Sequence, residues 1–274
     1  MIGREPMKFS PLLSMILILT SPPAAAVTIW PVGDSLTSGF NVAGGYRTQL
    51  YNDLTAAGQA VNFVGSSTAD AAPLLSSVGE TNHDGHSGWF IADASSSTVD
   101  NGKGILENVA TWYAGIAERP DIILLMIGTN DINRGNFVST APGRLNTLVT
   151  RLAVLAPDAR IIVGSIPTAK ENNAYKGSTV THLDAAIRDF NAGVATTVGY
   201  QASLGRRVEF LDVYGAMDLA DLSGDGLHFT KAGYNKLGSV WAGAILVPEP
   251  GSCLMSLFGI GLLLARRRRD SALL

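Results

Sequence analysis

Five short apolar runs, at residues 27–32, 61–64, 121–127, 160–166 and 207–213, alternate along the chain with segments of helical period. This alternation constrains the fold more than any other feature. The runs are short and lack polar alternation, the pattern of parallel strands covered on both faces. Residues 46–57, 105–118, 141–155 and 181–197 carry helical spacing between them, and a last helix is expected over 231–246. Pro120 and Pro157 mark two of the helix-to-strand turns. The stretch 66–104 is rich in Ser, Gly, Ala and Asp, so long loops with one short helix are expected there.

Strand–helix alternation of this kind predicts an α/β fold: a doubly wound (flavodoxin-like) three-layer sandwich with a central five-stranded parallel sheet. Residues 27–247 suit a single core, with no internal repeat. Ligands of open parallel sheets bind beyond the carboxyl ends of the strands. Gly33-Asp34-Ser35-Leu36-Thr37 follows the first run, and Gly128-Thr129-Asn130-Asp131 the third. Asp225-Gly226-Leu227-His228 follows the fifth across one loop. A serine, an amide and an Asp/His pair therefore converge on one sheet edge, and acyl transfer needs those types.

A serine hydroxyl is a weak nucleophile and needs a neighbouring base. Histidine serves near neutral pH, and a carboxylate on its second ring nitrogen fixes the tautomer. Asp225, three residues before His228, supplies that carboxylate from the same short segment. The chain has four histidines. His182 falls within the helix expected over 181–197 and is expected at the surface. His83 and His86 flank Asp84 but match no strong metal-binding spacing. Ser87, in Gly85-His86-Ser87-Gly88-Trp89, is a rival nucleophile. It has Trp89 where the G-x-S-x-G elbow needs glycine, and no strand precedes it. Ser35, Asp225 and His228 are thus the expected catalytic residues, with no cofactor and no metal.

Composition narrows the partners. Apolar residues make up 46% and charged residues 16%, which suits a packed core. Residues 27–247 hold 14 basic and 20 acidic side chains, a net charge of about −6. Nucleic acid is excluded by the lack of a basic face, and anionic substrates suit such a body only through a local patch. The single cysteine, Cys253, lies outside this region, which excludes disulfides and thiolate zinc sites from it.

The two ends carry addresses. Residues 1–26 have Arg4 and Lys8, an apolar run over 12–19 and Ala24-Ala25-Ala26, the plan of a signal peptide. In 248–274, Pro248-Glu249-Pro250 precedes an apolar stretch over 253–265 and the cluster Arg266-Arg267-Arg268-Arg269. At about 1.5 Å per residue that stretch is shorter than a bilayer core of about 30 Å. This order resembles the PEP-CTERM sorting signal of Gram-negative bacteria. The resemblance implies recognition by an exosortase and delivery to the cell surface or extracellular matrix. A permanent tail anchor is the alternative.

The internal blocks resemble those of the SGNH, or GDSL, hydrolases. Gly33-Asp34-Ser35-Leu36 matches the first block, Gly88 the second, Gly128-Thr129-Asn130-Asp131 the third and Asp225-Gly226-Leu227-His228 the last. The resemblance implies an oxyanion hole made by Ser35 N–H, Gly88 N–H and the Asn130 amide. Gly44-Gly45-Tyr46-Arg47, Phe63-Val64-Gly65-Ser66 and the segment from His83 to Trp89 are similar to the acetylxylan-esterase branch, carbohydrate esterase family 3. That branch deacetylates plant polysaccharides, so an acetylated polysaccharide is the implied substrate. Asp84 stands where a glutamate is expected, and Phe229-Thr230 where proline or asparagine is common. A GDSL lipase, lysophospholipase or thioesterase is the alternative enzyme. A non-catalytic surface protein binding glycans is the alternative from another class.

Overall fold

A computed structural model describes residues 25–93, 102–135 and 138–247. The export signal expected over 1–26 lies outside the described residues except for its last two, and the sorting tail over 248–274 lies wholly outside them.

The first half of the domain contains β1 (Val27–Gly33), α1 (Ser35–Ser38), α2 (Gly45–Ala56), β2 (Val61–Phe63), α3 (Pro73–Val78) and β3 (Asp84–Gly85). It continues with α4 (Ile105–Gly115), β4 (Ile122–Met126), α5 (Thr129–Asn133), α6 (Ala141–Leu155) and β5 (Arg160–Gly164). The last part holds α7 (Leu183–Ser203), β6 (Val208–Leu211), α8 (Val213–Ala216) and α9 (Lys231–Leu246).

The main path of the sheet runs β2-β1-β4-β5-β6, parallel throughout. These are the five strands expected from the apolar runs. The two-residue β3, in the stretch expected to be loop, adds a sixth beside the carboxyl end of β1. The order reverses between β1 and β4, which makes the crevice beyond those two strands the place for a ligand.

Side chains of one strand alternate between the two faces. Ile123 and Leu125 of β4 join Trp30, Val32, Ile161 and Val163 in one core under α4, α6 and α7. Ile122, Leu124 and Met126 join Ile29 and Ile162 in a second core under α2 and α9. Burial on both faces is why β1, β4 and β5 read as continuous apolar runs.

Helix boundaries differ from expectation in two places. The helix expected over 105–118 ends at Gly115. The helix expected over 181–197 starts at Leu183 and runs on to Ser203. His182 therefore sits exposed at its N-cap rather than inside it. The remote carboxylate of Glu171 accepts from the N–H groups of Leu183 and Asp184, satisfying donors the first turn leaves open.

Both ends of the described body lie at the sheet edge opposite the crevice. Val27, which opens β1, donates its N–H to Ala60 O. Arg160, which opens β5, donates to the carbonyls of Ala244 and Ile245 and so clamps the last turn of α9. The same guanidinium pairs with Glu209 of β6. Among the described residues, no helix is long and apolar enough to cross a membrane.

Candidate active site

Ser35 is the first residue of α1, immediately beyond β1. Asp34 caps this short helix: its Oδ1 accepts from Leu36 N at 3.0 Å, and its carbonyl accepts from Thr37 and Ser38. The serine side chain is thereby fixed at the strand end. Asn130 lies in the first turn of α5, beyond β4. The turn before it needs Gly128, which has φ of +122° and whose absent Cβ would stand 2.5 Å from the Phe190 ring.

The third group comes from the loop before α9. Ser223 and Gly226 close a turn, and Ser223 N donates to His228 O at 2.7 Å. Asp225 Oδ1 accepts from Ser223 Oγ, Leu227 N and His228 N at 2.8, 2.9 and 2.9 Å. Asp225 Oδ2 lies 2.8 Å from His228 Nδ1. Partial burial opposes the charge on Asp225, but these hydrogen bonds prevail and hold its pKa down to about 2. An ionised carboxylate only accepts, so Nδ1 carries the proton. Nε2 of the neutral ring then accepts from Ser35 Oγ at 3.0 Å, across 193 residues of sequence.

The imidazole is held between two rings. Phe40 lies 4.3 Å from it in a tilted stack, and Tyr175 meets it edge-on at 5.2 Å. Sequence reasoning found neither aromatic, since both sit in loops without periodicity. Tyr175 is fixed by Asn173, whose Oδ1 accepts from its N–H and whose Nδ2 donates to Asn133 of α5.

Gly88 reaches the same place through β3. Residues 84 and 85 pair with 32 and 33, and His86 N donates to Gly33 O. Gly85 must be glycine, because a Cβ there would fall 2.4 Å from Ser38 N. Ser35, Gly88, Asn130 and His228 then line one cavity of about 250 Å³. All four residues that the sequence brought to the sheet edge, with Gly88, are thus adjacent in space.

A model of the GDSL-like lipase/acylhydrolase family matches residues 32–236. The chain belongs to that family. The domain is accordingly a carboxylic ester hydrolase of the GDSL type. A PEP-CTERM protein-sorting motif matches residues 246–269, which marks an exported protein whose tail is of the kind exosortases process. A multidomain esterase of Ruminococcus flavefaciens is 29% identical over 240 residues, covering 84% of this chain but 30% of that protein. The structure of a Clostridium thermocellum family 3 carbohydrate esterase matches with a TM-score of 0.61 at 29% identity, covering 79% of this chain and 94% of the other. A family 3 carbohydrate esterase from Talaromyces cellulolyticus shares the fold, with a TM-score of 0.61 at 23% identity over 80% and 96% of the two chains.

The remaining candidates of this GDSL domain have other partners. Ser87 Oγ lies 3.0 Å from Ser38 Oγ, while the His228 ring already receives the Ser35 hydroxyl. His83 Nδ1 accepts from Gly85 N, and its Nε2 donates to Ala69 O at 2.8 Å. Burial is the main reason its pKa falls to about 4. His86 stacks between Trp112 at 4.4 Å and Trp89 at 4.5 Å, with Nε2 3.3 Å from Asp84. Asp84 also accepts from Trp30 Nε1 at 2.6 Å and from Ser66. It ties β1 to the loops around β3, and a side chain shorter than glutamate meets all these donors.

Two acids lie buried behind the site. Burial raises Asp34 to about 7. Burial also raises Asp131 to about 7, outweighing the Arg144 guanidinium 2.9 Å away, and Asp34 adds to the effect. Between pH about 4 and about 7 each holds a proton in the folded state that the unfolded chain has lost. Their contribution to stability therefore falls as pH rises through that window. His83, with its lowered pKa, contributes the opposite slope between about 4 and 6.5. Asp34→Asn keeps the acceptor for Leu36 and carries no charge. Urea unfolding should show this variant gaining about 1–3 kcal/mol on the wild type between pH 4 and pH 8. A constant difference across that range would refute it.

Proposed function

We propose that this domain removes O-acetyl groups from polysaccharide esters, acetylated xylan among them, through an acyl-Ser35 intermediate. The chain of hydrogen bonds from Ser35 through His228 to Asp225 carries this reading. Ser35 Oγ attacks the ester carbonyl as His228 Nε2 takes its proton, and Asp225 stabilises the imidazolium. His228 then protonates the departing alcohol. Water activated by the same ring hydrolyses the acyl-serine and releases acetate.

The developing oxyanion is received by Ser35 N–H, Gly88 N–H and the Asn130 amide. Ser35 opens a helix, so no carbonyl one turn back occupies its N–H. One Asn130 N–H is used at 2.9 Å on Trp89 O, which orients the amide and leaves the second donor for the cavity. Asn130→Ala should lower kcat by about 10²–10³. Steady-state kinetics on p-nitrophenyl acetate measure this, and wild-type turnover would remove Asn130 from the site.

The substrate class rests on the cavity and on the resemblance to family 3 carbohydrate esterases. The cavity of about 250 Å³ has a mixed lining, with Asn130, Lys103 and Arg134 beside Phe40, Tyr175 and Leu227, which suits a small acyl group on a sugar, whereas a lipid acyl chain needs a continuous apolar groove. The test is acetate release from acetylated xylan, with p-nitrophenyl esters of increasing acyl length beside it. Rates should fall steeply beyond acetyl. A rise towards long chains would favour a lipase instead. We further propose that residues 1–26 direct export and that the tail delivers the enzyme to the surface or matrix of a Gram-negative bacterium.

A further inference from the structure

The chemistry at Ser35 leaves one hydroxyl of the cavity unused. Ser87 lines the cavity beside Ser35 and Gly88, and it is exposed. A tight turn fixes its place. Trp89 N donates to His86 O, so Ser87 and Gly88 form the corner, and Gly88 has the φ of +81° that suits glycine at the third position of a turn. Both ends of the turn are tied to the site. His86 N donates to Gly33 O at the end of β1, and Trp89 O accepts from the Asn130 amide. Gly85 has no Cβ to hold α1 away, so the segment lies against the helix that carries the nucleophile. There Ser87 Oγ meets Ser38 Oγ at 3.0 Å. A hydroxyl has one donor and two acceptor positions. The contact with Ser38 uses one of these and leaves the others for the cavity.

We propose that Ser87 is a specificity-determining residue whose hydroxyl binds the free hydroxyl on the carbon next to the ester. The enzyme then prefers sugar units with one acetyl beside a free hydroxyl to units acetylated at both positions. The inference rests on the deacetylase reading and deepens it. The methyl of an acetyl group has no polar atom, so a fixed hydroxyl beside Gly88 serves the alcohol half. A pyranose offers a hydroxyl on the neighbouring carbon, and that group can meet Ser87 as donor or as acceptor. Because the turn is tied at both ends, little is lost in ordering Ser87 when the sugar binds. A second acetyl at the neighbouring position removes the donor and brings bulk against the same turn.

The test uses trans-2-hydroxycyclohexyl acetate, with cyclohexyl acetate and trans-1,2-diacetoxycyclohexane as its analogues. Movement of the acetyl between the two oxygens of the first regenerates the same compound, so migration does not blur the comparison. For the full-length protein, kcat/KM for acetate release per ester group should be about three- to tenfold higher on the hydroxy acetate, the worth of one hydrogen bond. A neighbouring oxygen also makes the alcohol a better leaving group, so the deciding quantity is the same ratio in variants. Ser87→Ala should lower that ratio at least about threefold. Ser87→Thr, which keeps the hydroxyl, should retain part of it. A wild-type ratio near one would overturn the proposal with no variant needed. A ratio unchanged in Ser87→Ala, even with both rates reduced, would also overturn it, since Ser87 would then only prop the turn against α1. So would a Ser87-dependent preference for cyclohexyl glycolate over cyclohexyl acetate, which would put the partner hydroxyl on the acyl half. Failure of the deacetylase reading looks different: acetylated xylan releases no acetate, whatever the ratio on the small esters.

Discussion

Replacing Ser35 with alanine is expected to lower kcat for p-nitrophenyl acetate by about 10⁴–10⁶-fold. The loss is confined to chemistry. Ser35 Oγ has its hydrogen bond with His228 and sits at the first position of a short helix whose cap is the Asp34 side chain. Alanine favours helix and leaves that cap intact. Thermal unfolding should therefore stay within about 1 kcal/mol of the wild type. A fluorophosphonate probe should add one adduct to the wild type and none to the variant, read by mass spectrometry. Turnover near the wild-type rate would transfer the nucleophile elsewhere, with Ser87 the first place to look.

Asp225→Asn should cost about 10³–10⁴-fold in kcat, more than its near-identical shape suggests. Oδ1 of Asp225 faces three donors, from Ser223, Leu227 and His228. An asparagine must keep its oxygen there, because its amide group would meet those donors with its own hydrogens. The amide nitrogen then occupies the Oδ2 position, 2.8 Å from Nδ1. Two donors cannot face each other, so the ring moves its proton to Nε2 and points it at Ser35. The base is lost while the loop stays folded. Kinetics give the rate, and NMR of the ring nitrogens would report the exchanged tautomer. A variant with wild-type turnover would show that Asp225 does not set the tautomer.

The sheet was legible because β1, β4 and β5 are buried on both faces and leave continuous apolar runs, while the edge strands β2 and β6 keep short apolar runs although part of each faces solvent. Its order made Ser35 and Asn130 neighbours, since β1 and β4 pair from Ile29↔Ile122 to Gly33↔Met126. What the sequence hid was short. α1, α5 and α8 are four or five residues long, too few to show a period. β3 is two residues held by pairing to β1 and by a glycine that allows α1 to approach. The lining of the cavity was hidden for another reason. Phe40, Lys103 and Tyr175 come from separate loops, and only the closed fold gathers them. Arg134 was within reach, because one turn of helix after Asn130 leads to it.

The clamp of Arg160 on the last turn of α9 also fixes where the described body ends. The last described turn, at Ala244 and Ile245, lies at the foot of the sheet, and Ser35 stands at its head. The seven residues of β1 separate the two levels by about 20 Å. The end of the body that the sorting motif follows is therefore remote from the mouth of the cavity, and processing at that end leaves the nucleophile and its approach untouched.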